Sequence, residues 1–133
     1  MLVLCTNIKT QAAKKYKYVW KTVTKKKYLG KYRITHYCPC VYCCGKTDGI
    51  TASGTKAKAG RTIGVDTNVI PFGSKVRIGN KVYVAEDTGG GIIGKKVIDV
   101  FCNSHSEALR KGVKYKKVWL ITKKRVRVKV KVK

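Results

Sequence analysis

The sequence predicts an all-β protein that contains one short helix. Aromatic residues and threonines alternate with lysine and valine over residues 16–24, and this period of two is typical of a strand. Further β-branched runs follow, and Gly79-Asn80 between two of them suits a tight hairpin. One helix is predicted because Ser104 and Glu107 have capping-box spacing and Gly112 follows at the expected end. Periodicity alone leaves a sandwich and a barrel equally open.

The predicted elements follow one another along the chain without an internal repeat. The strand over residues 16–24 leads into a turn predicted at residues 25–30, and residues 31–37 are the returning strand. Residues 38–61 are predicted to be rich in loops. The remaining strands are predicted at Thr62–Val65, Lys75–Ile78, Lys81–Ala85, Val97–Phe101 and Lys116–Ile121.

The net charge of +25 is concentrated at the two ends of the chain. Residues 1–33 carry ten Lys and Arg, residues 108–133 carry twelve, and neither segment has an acid. Residues 34–107 carry nine cations against all six acids. Such flanks bind polyanions, and nucleic acid, anionic wall polymers and phospholipid surfaces are physically equivalent partners. No apolar run approaches the roughly 20 residues of a transmembrane helix.

Three of the acidic residues stand where a strand is predicted to finish. Asp66, Asp87 and Asp99 each follow the end of an apolar run, and glycines follow closely after Asp87. Aspartate beside glycine is commonly a turn residue that bonds to its own backbone, and this explanation applies most strongly to Asp87. The alternative is a shared acidic site, which distance along the sequence neither favours nor opposes.

The order of these motifs resembles the 3D domain, a family named for three aspartates. The matching segments are Val65-Asp66 with Ile70–Gly73, then Ala85–Gly90, then Ile98–Phe101. The family is related to the stationary-phase survival proteins and to membrane-bound lytic transglycosylase A. The segment Gly89–Gly94 departs from the family pattern, because it lacks a lysine and is one residue longer.

The resemblance implies a small six-stranded double-psi β-barrel with one short helix and basic flanking strands. It divides the chain into a basic extension with a strand (residues 1–30), the barrel domain (residues 31–121) and a basic alternating tail (residues 122–133). It also implies that Asp99 is the catalytic acid and base, with Asp87 and Asp66 in the same cleft. Hydroxyls and backbone amides for glycan binding are expected from Thr88, Gly89, Gly90, Ser53 and Thr55; ordinary polar loops are the alternative.

The activity implied by the resemblance is that of a lytic transglycosylase. One acid protonates the bond between N-acetylmuramic acid and N-acetylglucosamine, then removes the proton from the C6 hydroxyl, which closes a 1,6-anhydro ring. The acid must stay protonated near neutrality, and neighbouring carboxylates and apolar residues raise its pKa in that direction. No cofactor is expected. The alternatives are a non-catalytic barrel that binds wall glycans and a nucleic-acid-binding protein.

The cysteines form a dense local cluster, Cys38, Cys40, Cys43 and Cys44 within seven residues. The sequence favours a local disulfide, because adjacent cysteines do not easily point at one ion, although six cysteines permit fifteen pairings. A metal site at these four cysteines, which His36 or His105 could join, and free thiols are the alternatives.

The alternating tail and the N-terminus bear on where the protein acts. Residues 123–133 hold seven cations that alternate in part with valine, which predicts a strand facing a polyanion. Residues 1–5 are too short for a signal-peptide core and follow no basic segment, so no export signal is expected. We expect the protein in the cell envelope or outside the cell, including as a phage virion or lytic protein.

Overall fold

The computed structural model describes residues 15–45 and 47–132. Within them the chain forms six strands and two short helices. In chain order these are β1 (Tyr16–Tyr37), α1 (Val41–Cys44), β2 (Thr62–Gly64), β3 (Lys75–Ile78), β4 (Lys81–Asp87), β5 (Val97–Phe101), α2 (His105–Lys111) and β6 (Lys114–Lys131). Neither helix has the length and apolarity that a membrane crossing would need.

The six strands belong to one sheet that closes on itself in the order β1-β5-β2-β4-β3-β6. The pairs β1–β5 and β2–β4 are parallel, whereas β2–β5, β3–β4 and β3–β6 are antiparallel. The all-β prediction is therefore confirmed at the level of a closed six-stranded sheet with few helices. The double-psi topology stays a prediction.

The described residues fall into two compact units, residues 26–122 and residues 15–25 with 123–132. The larger unit has a single main hydrophobic core. Its buried members alternate along the strands, as expected where one face of each strand is turned inward. They are Tyr32, Ile34, Ile63, Val65, Ile70, Val76, Ile78, Ala85, Ile98, Val100 and Val118.

The smaller unit is an antiparallel pair of strand segments, from the start of β1 and the end of β6. The Val132 amide donates to the Lys15 carbonyl oxygen at 2.6 Å. A second contact places the Arg125 guanidinium over the Trp20 ring, so residue numbers rise along one segment as they fall along the other. The predicted basic flanks are therefore strands here, and residues 1–14 lie outside the described part.

Local signals located several element ends well. Strands β3 and β5 coincide with the predicted segments, and Ser104 accepts a hydrogen bond from the Glu107 amide at 3.2 Å as the cap of α2. Ile78 pairs with Lys81 around the predicted hairpin, where Gly79 has a φ of +58°. A glycine with positive φ at the first central position is the type II′ arrangement that matches strand twist.

The turn predicted at residues 25–30 is wrong, because β1 runs through this segment without a break. The three lysines at residues 25–27 are exposed along the strand, so their mutual repulsion is relieved in water without a change of direction. Gly30 does adopt a positive φ of +113°, but inside the strand. The strand predicted at Lys116–Ile121 and the strand predicted over residues 123–133 are parts of one strand, β6, which begins at Lys114 and ends at Lys131.

A matched pair of valines tests the position of the core. Val76 in β3 is fully buried, whereas Val82 in the adjacent β4 is 49% exposed. We expect Val76→Ala to lower the free energy of unfolding by about 2 kcal/mol, because two buried methyl groups are lost and a cavity remains. Val82→Ala should change it by less than about 0.5 kcal/mol. Urea denaturation of both variants checks this, and equal losses would contradict the assigned core.

Candidate functional site

The Asp99 carboxyl lies where β5 runs parallel to β1. Thr35 is the register partner of Asp99, and its hydroxyl donates to Asp99 Oδ1 at 2.9 Å. Burial raises the pKa of the Asp99 carboxyl above its ordinary value. The Thr35 hydrogen bond and the nearby His36 oppose this rise in pKa, and the Asp87 charge adds to it. Asp99 is therefore a carboxyl that keeps its proton to a higher pH than an exposed aspartate.

Asp87, at the end of β4, is held from several sides. The Tyr37 hydroxyl donates to Oδ2 at 2.8 Å, and the amides of Ala52 and Thr88 donate to Oδ1, each at 2.9 Å. Burial, followed by the hydrogen bond to Asp87, raises the pKa of the Tyr37 phenol, so Tyr37 remains a donor. Residues 35 and 37 lie on the same face of β1, and each gives its hydroxyl to a different carboxylate.

A β-bulge places Asp87 opposite β2. Ile63 pairs with Ala85, but the next residue, Gly64, pairs with Asp87, so Glu86 is the extra residue in β4. Bulges redirect side chains and are frequent beside functional sites. Here Glu86 turns to Arg61 Nε and the Thr62 hydroxyl, both 2.8 Å from its Oε1.

Gly64 separates the two carboxylates. It pairs with Asp99 on one side and with Asp87 on the other. A Cβ at position 64 would lie 3.1 Å from Ile92 Cδ1 and 3.6 Å from Asp99 Cβ. The missing side chain therefore keeps open the space between the acids.

That space belongs to a cavity of about 520 Å³. Asp99 and Asp87 line it together with Thr88, Gly89 and Gly90, and the roles of these five residues in catalysis and glycan binding stay predictions. Gly64, Tyr37 and the α1 residues Cys43 and Cys44 complete much of the wall. The arrangement joins two carboxylates, a phenol and a glycine-rich edge around one opening.

Three other predicted site residues do not line this cavity. Asp66 is buried, and its two carboxylate oxygens accept from the amides of Asn68 at 3.0 Å and Gly94 at 2.9 Å. It thereby fixes the far end of the glycine-rich segment that forms the cavity wall. Ser53 and Thr55 share hydrogen bonds with the Thr51 hydroxyl at 3.1 and 2.7 Å. The roles of all three in substrate binding or catalysis stay predictions.

The predicted local disulfide is not formed, since the five described cysteines are free thiols and Cys5 lies outside the described residues. Three of the sulfurs, from Cys38, Cys40 and Cys43, face the ring of His105. Cys44 lies outside this group and donates its thiol hydrogen to the Cys38 carbonyl oxygen at 3.2 Å, so the metal alternative at the four cysteines stays a prediction.

Sequence reasoning missed Thr35, Tyr37 and Gly64 as parts of the site. In the sequence they stood out only as two hydroxyl residues at alternating positions near a strand end and as a glycine after Thr62-Ile63. Nothing in those local patterns says which strand lies alongside, and the side-chain bonds they make span 64 and 50 residues.

Comparisons with known proteins identify a domain family and two bacterial relatives. Residues 61–122 match the family model of the 3D domain. The cell wall-binding protein YocH of Bacillus subtilis (strain 168) is 49% identical over 74 residues, which are 53% of this chain and 25% of that protein. The putative cell wall shaping protein YabE of the same organism is 43% identical over 82 residues, which are 59% and 20% of the two chains.

Among solved structures, that of MltA from E. coli is 20% identical, with a TM-score of 0.47 over 65% of this chain and 28% of that chain. The chain thus spans a quarter or less of the two Bacillus relatives and less than a third of MltA. The matched region runs from the residue before β2 into β6 and contains Asp66, Asp87 and Asp99. The resemblance found in the sequence is therefore confirmed over residues 61–122, which match the 3D domain family.

Proposed function

We propose that this protein binds peptidoglycan in the cell envelope and cleaves its glycan strands as a lytic transglycosylase. The observation that carries the proposal is Asp99, a carboxyl whose pKa is raised by burial, in a cavity that it shares with a second carboxylate. The names of the Bacillus relatives, cell wall-binding and cell wall shaping, support a wall polymer as the ligand. We further propose that the closed sheet is a double-psi barrel.

In the proposed reaction Asp99 acts first as an acid and then as a base. Its Oδ1 accepts from Thr35, and we assign the acidic proton to Oδ2. This proton goes to the oxygen that leaves with N-acetylglucosamine as the bond to C1 of N-acetylmuramic acid breaks. The Asp99 carboxylate then takes the proton from the C6 hydroxyl, whose oxygen bonds to C1. No water is consumed, and the product ends in a 1,6-anhydro ring.

The neighbouring groups support this chemistry without a second nucleophile. Asp87, held by Tyr37 and two amides, supplies a fixed negative charge that stabilises the developing positive charge on the sugar. Thr88, Gly89 and Gly90 offer a hydroxyl and exposed backbone to the N-acetyl and hydroxyl groups of the glycan.

A non-catalytic wall-binding protein is the second candidate. The printed name of YocH describes binding and not cleavage. The segment Gly91–Gly94 also departs from the family pattern in front of Asp99. A binding protein would use the same cavity and would need neither the proton of Asp99 nor its raised pKa.

The smaller unit supplies a distinct surface for an anionic wall polymer. Its exposed aromatic rings are each covered by a cation, at ring-centroid distances of 5.1, 4.8 and 4.4 Å. The pairs are Arg125 over Trp20, Arg127 over Tyr18 and Lys129 over Tyr16. Alternate residues of a strand are about 6.6 Å apart, so the cations form a regular row on one face. We propose that this row holds the protein on the wall.

The first prediction from the proposed function concerns the proton of Asp99. Asp99→Asn should lower the rate of wall cleavage at least about 100-fold, because the amide cannot donate and recover a proton. Its melting temperature should stay close to that of the unmodified protein, because the amide keeps the shape of the carboxyl and its oxygen can still accept from the Thr35 hydroxyl. Turbidity of purified walls, together with thermal melts, measures both effects.

The control is Asp48→Asn, the same chemical change at an exposed residue outside the cavity. Full cleavage by a folded Asp99→Asn protein would refute Asp99 as the catalytic acid. Wall binding without cleavage by the unmodified protein would establish the second candidate. Products with reducing ends in mass spectra would indicate a hydrolase instead of a transglycosylase.

The second prediction is the effect of pH. Only the protonated Asp99 starts the reaction, so kcat/KM should fall as pH rises through the Asp99 pKa. The Asp87 charge contributes to the raised pKa of Asp99. Asp87→Asn should therefore shift this descending limb to lower pH, in addition to any loss of rate. A limb at the same pH in Asp87→Asn and in Asp48→Asn would show that Asp99 is not the titrating acid.

The third prediction tests the cation row. Replacing Arg125, Arg127 and Lys129 by Gln should weaken binding to walls and reduce the slope of log affinity against log salt. By analogy with phosphate backbones, the slope should change by about 0.7 to 0.9 for each lost contact. The matched control replaces Lys75, Lys81 and Lys95, which are exposed on the larger unit, by Gln. Equal slopes in the two triple variants would remove the row as a specific tether.

A further inference from the structure

Four side chains that the proposed reaction does not use converge beside the cavity. Cys38 follows β1 directly, Cys40 precedes α1, Cys43 lies in α1, and His105 is the first residue of α2. Their ligand atoms, three Sγ and one imidazole nitrogen, all lie within 4.8 Å of one another. No other such group of His, Cys, Asp or Glu occurs among the described residues.

The distances are those of a tetrahedral metal site. Zinc–sulfur bonds of about 2.3 Å and zinc–nitrogen bonds of about 2.0 Å give tetrahedron edges of about 3.8 Å between sulfurs and about 3.5 Å between sulfur and nitrogen. The His105 Nδ1 atom lies 3.8 Å from the sulfur of Cys38 and 3.5 Å from those of Cys40 and Cys43. Cys38 Sγ lies 3.5 Å from Cys43 Sγ and 2.9 Å from Cys40 Sγ, and this last pair must separate to admit an ion.

We propose that Cys38, Cys40, Cys43 and His105 bind one structural Zn²⁺ ion. Three thiolates and an imidazole are the ligands that select zinc, and four protein ligands close its coordination shell. Binding releases the protons of those thiols that are protonated in the free protein. The closed shell leaves no position for water or substrate, so the ion holds structure and takes no part in glycan cleavage.

The surroundings distinguish these ligands from the other cysteines. Cys102 Sγ lies 3.2 Å from the Tyr37 carbonyl oxygen, so that thiol is engaged with backbone, as is the thiol of Cys44. The ring of Tyr42, which is itself exposed, lies 5.6 Å from that of His105 at an interplanar angle of 43°. Cys38 also packs in a small buried cluster with Cys102 and Ala108, the latter on α2.

The ion would connect the cavity wall to α2. Cys43 and Cys44 line the cavity, and they stand on a helix of only four residues that has no buried side chain of its own. A helix this short is unstable in isolation, so a cross-link from Cys40 and Cys43 to His105 would fix it in place. The inference does not depend on glycan cleavage, because a protein that only binds the cell wall would need the same cavity lining.

The test uses the full chain, produced in zinc-supplemented medium and purified without chelator under reducing conditions. Elemental analysis should find one zinc per chain. Replacement of zinc by Co²⁺ should give the thiolate-to-cobalt charge-transfer and tetrahedral ligand-field bands. Cys40→Ser and His105→Ala should each weaken zinc affinity at least about 100-fold, beyond the loss caused by outer-shell changes. A chelator should lower the melting temperature of the unmodified protein.

Cys44→Ser is the matched control, since it removes the adjacent thiol that the proposed site excludes. It should retain one zinc per chain and the same cobalt spectrum. Zinc absent from the unmodified protein, or lost equally from Cys44→Ser and Cys40→Ser, would overturn the proposal. So would a Cys38–Cys40 disulfide in zinc-supplied, reduced protein, found by peptide mapping. These measurements do not use activity, so they stand apart from the test of Asp99.

Discussion

The parallel pairing of β1 with β5 is the constraint on which the candidate site depends. It brings Thr35 beside Asp99, and the same face of β1 then brings Tyr37 to Asp87. Both hydroxyls come from one rigid strand, so β1 fixes the positions of the two carboxylates relative to each other. Strand β2 lies between the two carboxylates, because its Gly64 pairs with Asp87 of β4 and with Asp99 of β5 and contributes no side chain. Sheet pairing thus positions the site, and the loops close it.

Burial of Asp99 works against stability at neutral pH. A carboxyl whose pKa is raised in the folded protein favours folding most below its unfolded pKa, and this contribution is lost as pH rises through the folded pKa. Asp66 and Glu86 are more deeply buried, but each carboxylate accepts two hydrogen bonds, whereas among the described residues the Asp99 carboxyl accepts from Thr35 alone. The contrast separates acids that hold the structure from one kept in an unfavourable setting, which is typical of functional groups.

Local patterns were enough to predict β3, β5, the ends of α2 and the three aspartate motifs, because each depends on neighbouring residues. The contacts that these residues make could not be predicted from local patterns. The Thr35–Asp99 hydrogen bond and the contacts of His105 with the cysteines join residues more than 60 positions apart. The wrong turn at residues 25–30 has a different cause. Consecutive lysines and a glycine are compatible with a turn and with an exposed strand, and pairing along the sheet decided between them.

The bulge directs Glu86 and the next residue, Asp87, to different partners. The partners of Glu86 have a consequence for the pH range of the protein. Burial acts to raise the pKa of Glu86, but the hydrogen bonds from Thr62 and Arg61 outweigh it and leave this pKa below its ordinary value. The stability that Glu86 contributes is present above its unfolded pKa and is lost as pH falls through the lowered one. Asp99 has the reverse requirement if it is the acid. Glu86 then limits folding at acidic pH, and Asp99 limits catalysis at higher pH. The working pH range lies between these two limits, which are set by residues on β4 and β5, the two strands that pair with β2.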